Sequence, residues 1–334
     1  MKKTILLILA IGMLLPVLAQ KHKLKNVGIT YMHYPSKPLS MDIKTYAVNV
    51  TNTSTRIKIG GDRERQYFQL EGFEKVTPDK ADIMLNFELY GVQTNAEVLT
   101  KEETTKVDGK DVKKTYYYHE VVSTASSKFS IVDKAGTVIY TQLMQGKDYE
   151  NRSQSSYFNT KAEAEADYNK NKDGIVNSSD NATITKIMSA IKDYINNNYG
   201  YYKVSSSVTI ATGKGKDSDY ADADLLVTRF EEAANLYNAG KQDEYNKIAA
   251  ECIAGWEKIL EEYDPNNKKA RISKKNADAF YYNISSAYLY MNEFDKAIEY
   301  INKGLEVDKS VFVKMMIPDI QDRKFRYQKN LDRK

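Results

Sequence analysis

A change of hydrophobic period constrains this chain more than any other feature. Up to about residue 211 apolar side chains tend to alternate with polar ones, and from about residue 220 they recur every three or four positions. A period of two sends successive side chains to opposite faces of a strand, whereas a period near 3.6 gathers them along one stripe of a helix. The expected fold is therefore an α+β N-terminal domain, an antiparallel sheet with helices, followed by an all-α module.

Within the first part, Ile83, Leu85, Phe87 and Leu89 fall on one face of a strand predicted over 81–90. Asp108-Gly109 separates two long strand-like runs, and an Asp-Gly pair in that position signals a tight hairpin. The second run extends from about 112 to 132. A turn at 133–136 then leads into a third strand over 137–144. Helices are predicted over 62–70 and 183–196, the second from the spacing of Ile184, Ile187, Met188, Ile191 and Ile195. A last strand, 204–210, closes the domain. Residues 212–219 contain only Thr, Gly, Lys, Ser and Asp, the composition of a linker. The expected division is an α+β domain over 20–211, a linker over 212–219 and a helical domain over 220–334.

Four apolar stripes follow. They are marked by Leu226, Phe230 and Tyr237; by Tyr245, Cys252 and Trp256; by Phe280, Ile284 and Met291; and by Phe294, Ala297 and Leu305. Breaks at Gly240-Lys241 and Asn292-Glu293 fold them into two antiparallel hairpins. A final helix is expected over 320–331.

The second hairpin carries large residues at Tyr281, Ile284, Tyr288 and Ile301 and small ones at Ala287, Ala297 and Gly304. That arrangement resembles a tetratricopeptide repeat, and the likeness extends over 222–308. The resemblance implies helix pairs packed at about 8–10 Å through the small residues and a surface that binds a protein partner. The hairpin endings Asp264-Pro265 and Asp308-Lys309 lie 44 residues apart, against the usual 34 or so, and the second lacks the family's closing Pro.

A second resemblance lies at 169–180. Asn169, Asn171, Asp173, Asn177 and Asp180 occupy positions 1, 3, 5, 9 and 12 of a loop with Gly174 at position 6. This resembles the calcium loop of EF-hand and dockerin modules, which implies a cation held by these oxygens. Only Asp173 and Asp180 are charged, so the implied calcium affinity is weak, roughly 10⁻⁴–10⁻³ M. No other cofactor is expected.

The N-terminus has the pattern of an export signal. Lys2 and Lys3 precede an apolar run over 5–18, and Val17-Leu18-Ala19 suits cleavage after residue 19. The expected localisation is periplasmic or secreted, with no membrane span after signal cleavage. Without the two lysines the formal charge falls from +4 to +2, with acidic and basic residues well mixed, so no nucleic-acid partner is expected. The lone Cys252 excludes an internal disulfide. The three histidines, His22, His33 and His119, form no metal or nucleophile motif. The reading is a non-enzymatic adapter of the bacterial cell envelope that binds a protein through its helical hairpins. The alternative is a glycan- or calcium-binding module using the Tyr-rich strand at 116–118 or the 169–180 loop.

Overall fold

The computed structural model describes residues 22–53, 57, 59, 61–213, 220–309 and 311–332. The leader reading at 1–19 and most of the linker reading at 212–219 lie outside them. The chain divides into two compact units. A sheet unit spans Lys37–Tyr201, and a helical unit combines the residues up to Ser36 with those from Tyr202 onward.

In the sheet unit, β2 (Thr45–Asn52), β3 (Glu74–Lys75), β4 (Ile83–Val107), β5 (Lys110–Asp133), β6 (Val138–Met144) and β7 (Asn151–Gln154) form one six-stranded sheet. Its order is β3-β2-β4-β5-β6, with β7 also on β5. β2 runs parallel to β4, and β4 and β5 are antiparallel from Ile83↔Asp133 to Val107↔Lys110. The hairpin turns at Asp108 and Gly109, both at positive φ, the conformation a two-residue turn demands. Beyond Leu99↔Tyr118 the ribbon is mostly exposed and rich in Lys and Glu, which blunts its edges against further strand pairing.

A short helix, α1 (Asp62–Tyr67), and a 38-residue helix, α2 (Lys161–Asn198), complete the unit. Thr160 starts α2 with a capping box to Glu163. Only the C-terminal half of α2 is apolar on one face. There Ile184, Ile187, Met188, Ile191 and Ile195 pack on Leu85, Phe87, Phe129 and Ile131. Asn196 then holds the chain before β3, accepting from the Glu71 amide at 2.8 Å and donating to the Gln69 carbonyl at 2.8 Å.

The helical unit is not all-α. It contains a two-stranded antiparallel sheet of β1 (His22–His33) and β8 (Tyr202–Gly213), paired from His22↔Gly213 to His33↔Tyr202. Around it stand α3 (Ala221–Asn238), α4 (Gln242–Leu260), α5 (Ala277–Tyr290), α6 (Phe294–Val307), α7 (Val311–Lys314) and α8 (Met316–Leu331). The expected order of an α+β domain and then an all-α module is thereby overturned: strands serve both units. The physical reason is burial. Val27, Ile29, Val208 and Ile210 share one core with Phe230, Trp256, Phe280 and Ile284, so the helices cover a sheet as well as each other.

An isolated two-stranded ribbon has two open edges. Here two asparagines close them. Asn238 of α3 accepts from the Thr30 amide at 2.6 Å and donates to the Gly28 carbonyl at 3.1 Å. Asn283 of α5, fully within the core, accepts from the Ala211 amide at 3.0 Å and donates to the Ala211 carbonyl at 2.7 Å. Each amide thus stands in for a missing neighbouring strand. Cys252 is buried between helices, which pushes its thiol up to about 12.

Removing the Asn283 amide leaves the buried N–H and C=O of Ala211 unpaired, so Asn283→Ala is expected to cost about 1–3 kcal/mol, read from urea unfolding. Residues 220–332 alone are expected to show no cooperative melt. Residues 22–36 joined to 202–332 by a short Gly-Ser linker should unfold cooperatively with a near-ultraviolet dichroism signal. A cooperative melt of the helices alone would contradict this packing.

Candidate functional site

The residues singled out in the second helical hairpin build its interior. Ile284, Ala287, Ala297, Ile301 and Gly304 are buried, and Tyr281 and Tyr288 lie half-buried against the ring of Tyr300. A Cβ at Gly304 would stand 2.4 Å from the Tyr282 ring, so only glycine lets α5 and α6 approach this closely. These side chains position the hairpin and offer little to a ligand.

The proposed calcium ligands lie elsewhere, and the loop reading is corrected by the helix that replaces it. Asn169, Asn171, Asp173, Asn177 and Asp180 all sit inside α2, with Gly174 a plain helical residue. At about 1.5 Å of rise per residue, Asn169 and Asp180 are roughly 16 Å apart along the helix, and Asn171 donates to the Asp167 carbonyl and carboxylate. Five such oxygens do not converge on one ion. Asp180 is instead buried, where it accepts from Ser123 Oγ at 2.9 Å and from Thr94 Oγ1. Among the described residues no group of three or more His, Cys, Asp or Glu is placed to hold a metal. Asn169, Asn171 and Asp173 line a broad polar cleft between α2 and strands β5 and β7. His119, also on its wall, is buried with Nδ1 unpartnered among the described residues.

The site with the more definite chemistry is in the helical unit, a cleft of about 290 Å³ at the turn end of both hairpins. The turn of α3–α4 contributes Gly240, and that of α5–α6 contributes Asn292, both at positive φ so that the chain can reverse within a few residues. The first residues of α4 and α6, Gln242 and Phe294, also line it. Neither helix has a side-chain N-cap, but acidic residues in their first turns, Asp243 and Glu244 on α4 and Asp295 on α6, offset the positive ends of the helix dipoles. The exit of β1 supplies Tyr31 and His33, β8 supplies Lys203, and α8 supplies Arg323 and Arg326 one turn apart.

The two arginines are held differently. Arg326 is buried. Its Nε donates to Asp322 Oδ2 at 2.6 Å, and its Nη1 donates to the Tyr34 carbonyl and meets His33 Nε2, each at 3.3 Å. It therefore ties α8 to the strand exit. Arg323 is half-exposed, over the rings of Tyr31 at 4.1 Å and Tyr290 at 4.9 Å. Among the described residues no carboxylate lies within 4.0 Å of Arg323 or of Lys203. None of the described residues lining the cleft is acidic.

The tyrosines do not cancel this charge. Burial pushes Tyr237 up to about 12, against the opposing pull of Arg323, and burial likewise raises Tyr290. Burial, then the neighbouring Tyr327, raises Tyr34. Their hydroxyls stay neutral at physiological pH, so they do not offset the charges of Arg323 and Lys203. Charge of this sign would favour an anion.

None of these cleft residues stood out in the sequence as ligands. The run Arg323-Lys324-Phe325-Arg326 is the one available signal, and it reads equally as a solvated helix face. No protein-family model matches the chain, and no curated protein matches it in sequence. The tetratricopeptide resemblance therefore rests on the quoted residues alone. No helix among the described residues is long and apolar enough to cross a membrane.

Within a helix through 169–180, glycine is a liability of about 0.5–1 kcal/mol relative to alanine. A Cβ at Gly174 meets nothing within 4 Å. Gly174→Ala is therefore expected to raise the melting temperature slightly, with no shift on adding millimolar calcium to either protein. A destabilised variant and a calcium-dependent melt would restore the loop.

Proposed function

We propose that this chain is an exported interaction protein of the bacterial cell envelope that holds a protein partner at the turn end of its helical hairpins. The supporting observation is the cleft bearing Arg323, Arg326 and Lys203 with no acidic residue on its described walls. Arginine and tyrosine together are the side chains that most often dominate the energy of protein contacts. A tyrosine offers a flat apolar face and a hydroxyl at little entropic cost, and an arginine already stacked on a ring has less freedom to lose on binding. Export rests on the leader pattern at 1–19. The protein acts in this reading by binding, and the hairpins supply the rigid frame on which the cleft is assembled.

The test uses the full chain in living bacteria. Met32, 39% exposed on the cleft wall, is replaced by the photo-crosslinking amino acid benzoylphenylalanine. Irradiation is expected to give one defined adduct with an envelope protein. Arg323→Ala should reduce that adduct by roughly tenfold, the effect of losing about 1.4 kcal/mol at the contact. Absence of an adduct, or one indifferent to Arg323, contradicts the reading.

A further inference from the structure

We infer that the group captured in this cleft is a free C-terminal carboxylate carried on a chain end with a bulky apolar last side chain. The inference rests on the proposed binding role and names its ligand.

Charge comes first. Arg323 is the one cleft arginine whose charge is met by aromatic rings instead of a carboxylate among the described residues. A guanidinium against a ring still presents N–H donors at its edge, in the fork that matches the two oxygens of a carboxylate. Two nearby acids are engaged elsewhere: Asp322 binds Arg326, and Asp295 binds Lys324 at 2.5 Å. Lys203, exposed at the cleft, adds a second positive charge with no carboxylate within 4.0 Å among the described residues.

Size and wall chemistry narrow the ligand further. A cleft of about 290 Å³ lies at the small end of ligand pockets. It suits a terminal residue with its carboxylate better than an acidic segment running through. Met32, Phe294 and Tyr327 give it an apolar side, with the rings of Phe294 and Tyr327 5.6 Å apart. Capture of a chain end in this way secures direction as well as charge, because only one residue of a partner carries both groups.

The experiment uses the full chain and short synthetic probes, with binding read by ligand-observed NMR titration. The probes are acetyl-Ala-Ala-Phe with a free C-terminus, the same peptide amidated, an amidated acetyl-Ala-Glu-Phe, and phenyl phosphate. The free acid is expected to bind at least about tenfold more tightly than either amide and than phenyl phosphate. Arg323→Gln should weaken it by about tenfold. Lys203→Gln, at an exposed position with no packing role, should weaken it by roughly threefold with the melting temperature unchanged. Equal binding of free acid and amide overturns the inference, as does tighter binding of the internal glutamate peptide or of phenyl phosphate. If none of the probes binds while the Arg323-dependent cross-link persists, the interaction role stands and the C-terminal assignment falls.

Discussion

Everything in the helical unit depends on the ladder between β1 and β8. Its twelve registered pairs join segments separated by the whole sheet unit in sequence. Such a pairing carries the entropy of closing a long loop, and a two-stranded ribbon recovers little of it alone. The helices recover the rest by covering Val27, Ile29, Val208 and Ile210. The ribbon in turn gives α3 and α5 a flat apolar surface to pack on. The Asn238 amide meets the β1 edge at the surface, the Asn283 amide meets the β8 edge in the core, and Asn196 uses the same device in the sheet unit. A side-chain amide sets a donor NH2 group beside an acceptor oxygen, so it can stand in for a residue of a neighbouring strand.

The cleft is a consequence of the same ladder. Because β1 leaves the ribbon at His33, beside Tyr202, its exit falls next to the turns of both helical hairpins. Arg326, braced by Asp322 on the same helix, fastens α8 across that exit through the Tyr34 carbonyl. With Arg326 so engaged, Arg323 one turn away is left over the Tyr31 and Tyr290 rings. Burial keeps Tyr237 and Tyr290 protonated, so the charge of Arg323 is not offset by a phenolate. The positive charge of the cleft is thus a product of how strand and helices are joined.

Much of the local structure was legible from pattern. The Asp108-Gly109 turn, the apolar face of β4 and the four hairpin helices all follow from strong local periodicity or turn chemistry. The association of elements was not legible. β1 mixes four basic residues with its apolar positions, and β8 is half Ser, Thr and Gly, so neither announces that its partner lies at the other end of a long insertion. The stretch 169–180 misled because Asn, Asp, Gly and Ser favour turns, whereas here a capping box at Thr160 and the apolar stripe beyond Thr183 carry one helix through it. The cleft cations were hidden for a related reason. Arg323 and Arg326 are ordinary surface-helix residues until a strand exit is placed against them.

Native-state hydrogen exchange followed by NMR tests the central claim most directly. If β1 and β8 are the spine of the helical unit, their paired amides should exchange with the same opening free energy as the central amides of α5. The core of the sheet unit around Leu85 and Phe129 should form its own cooperative group. Rapid exchange of β1 and β8 while α3–α6 remain protected would contradict the account, and would return the helices to a free-standing module.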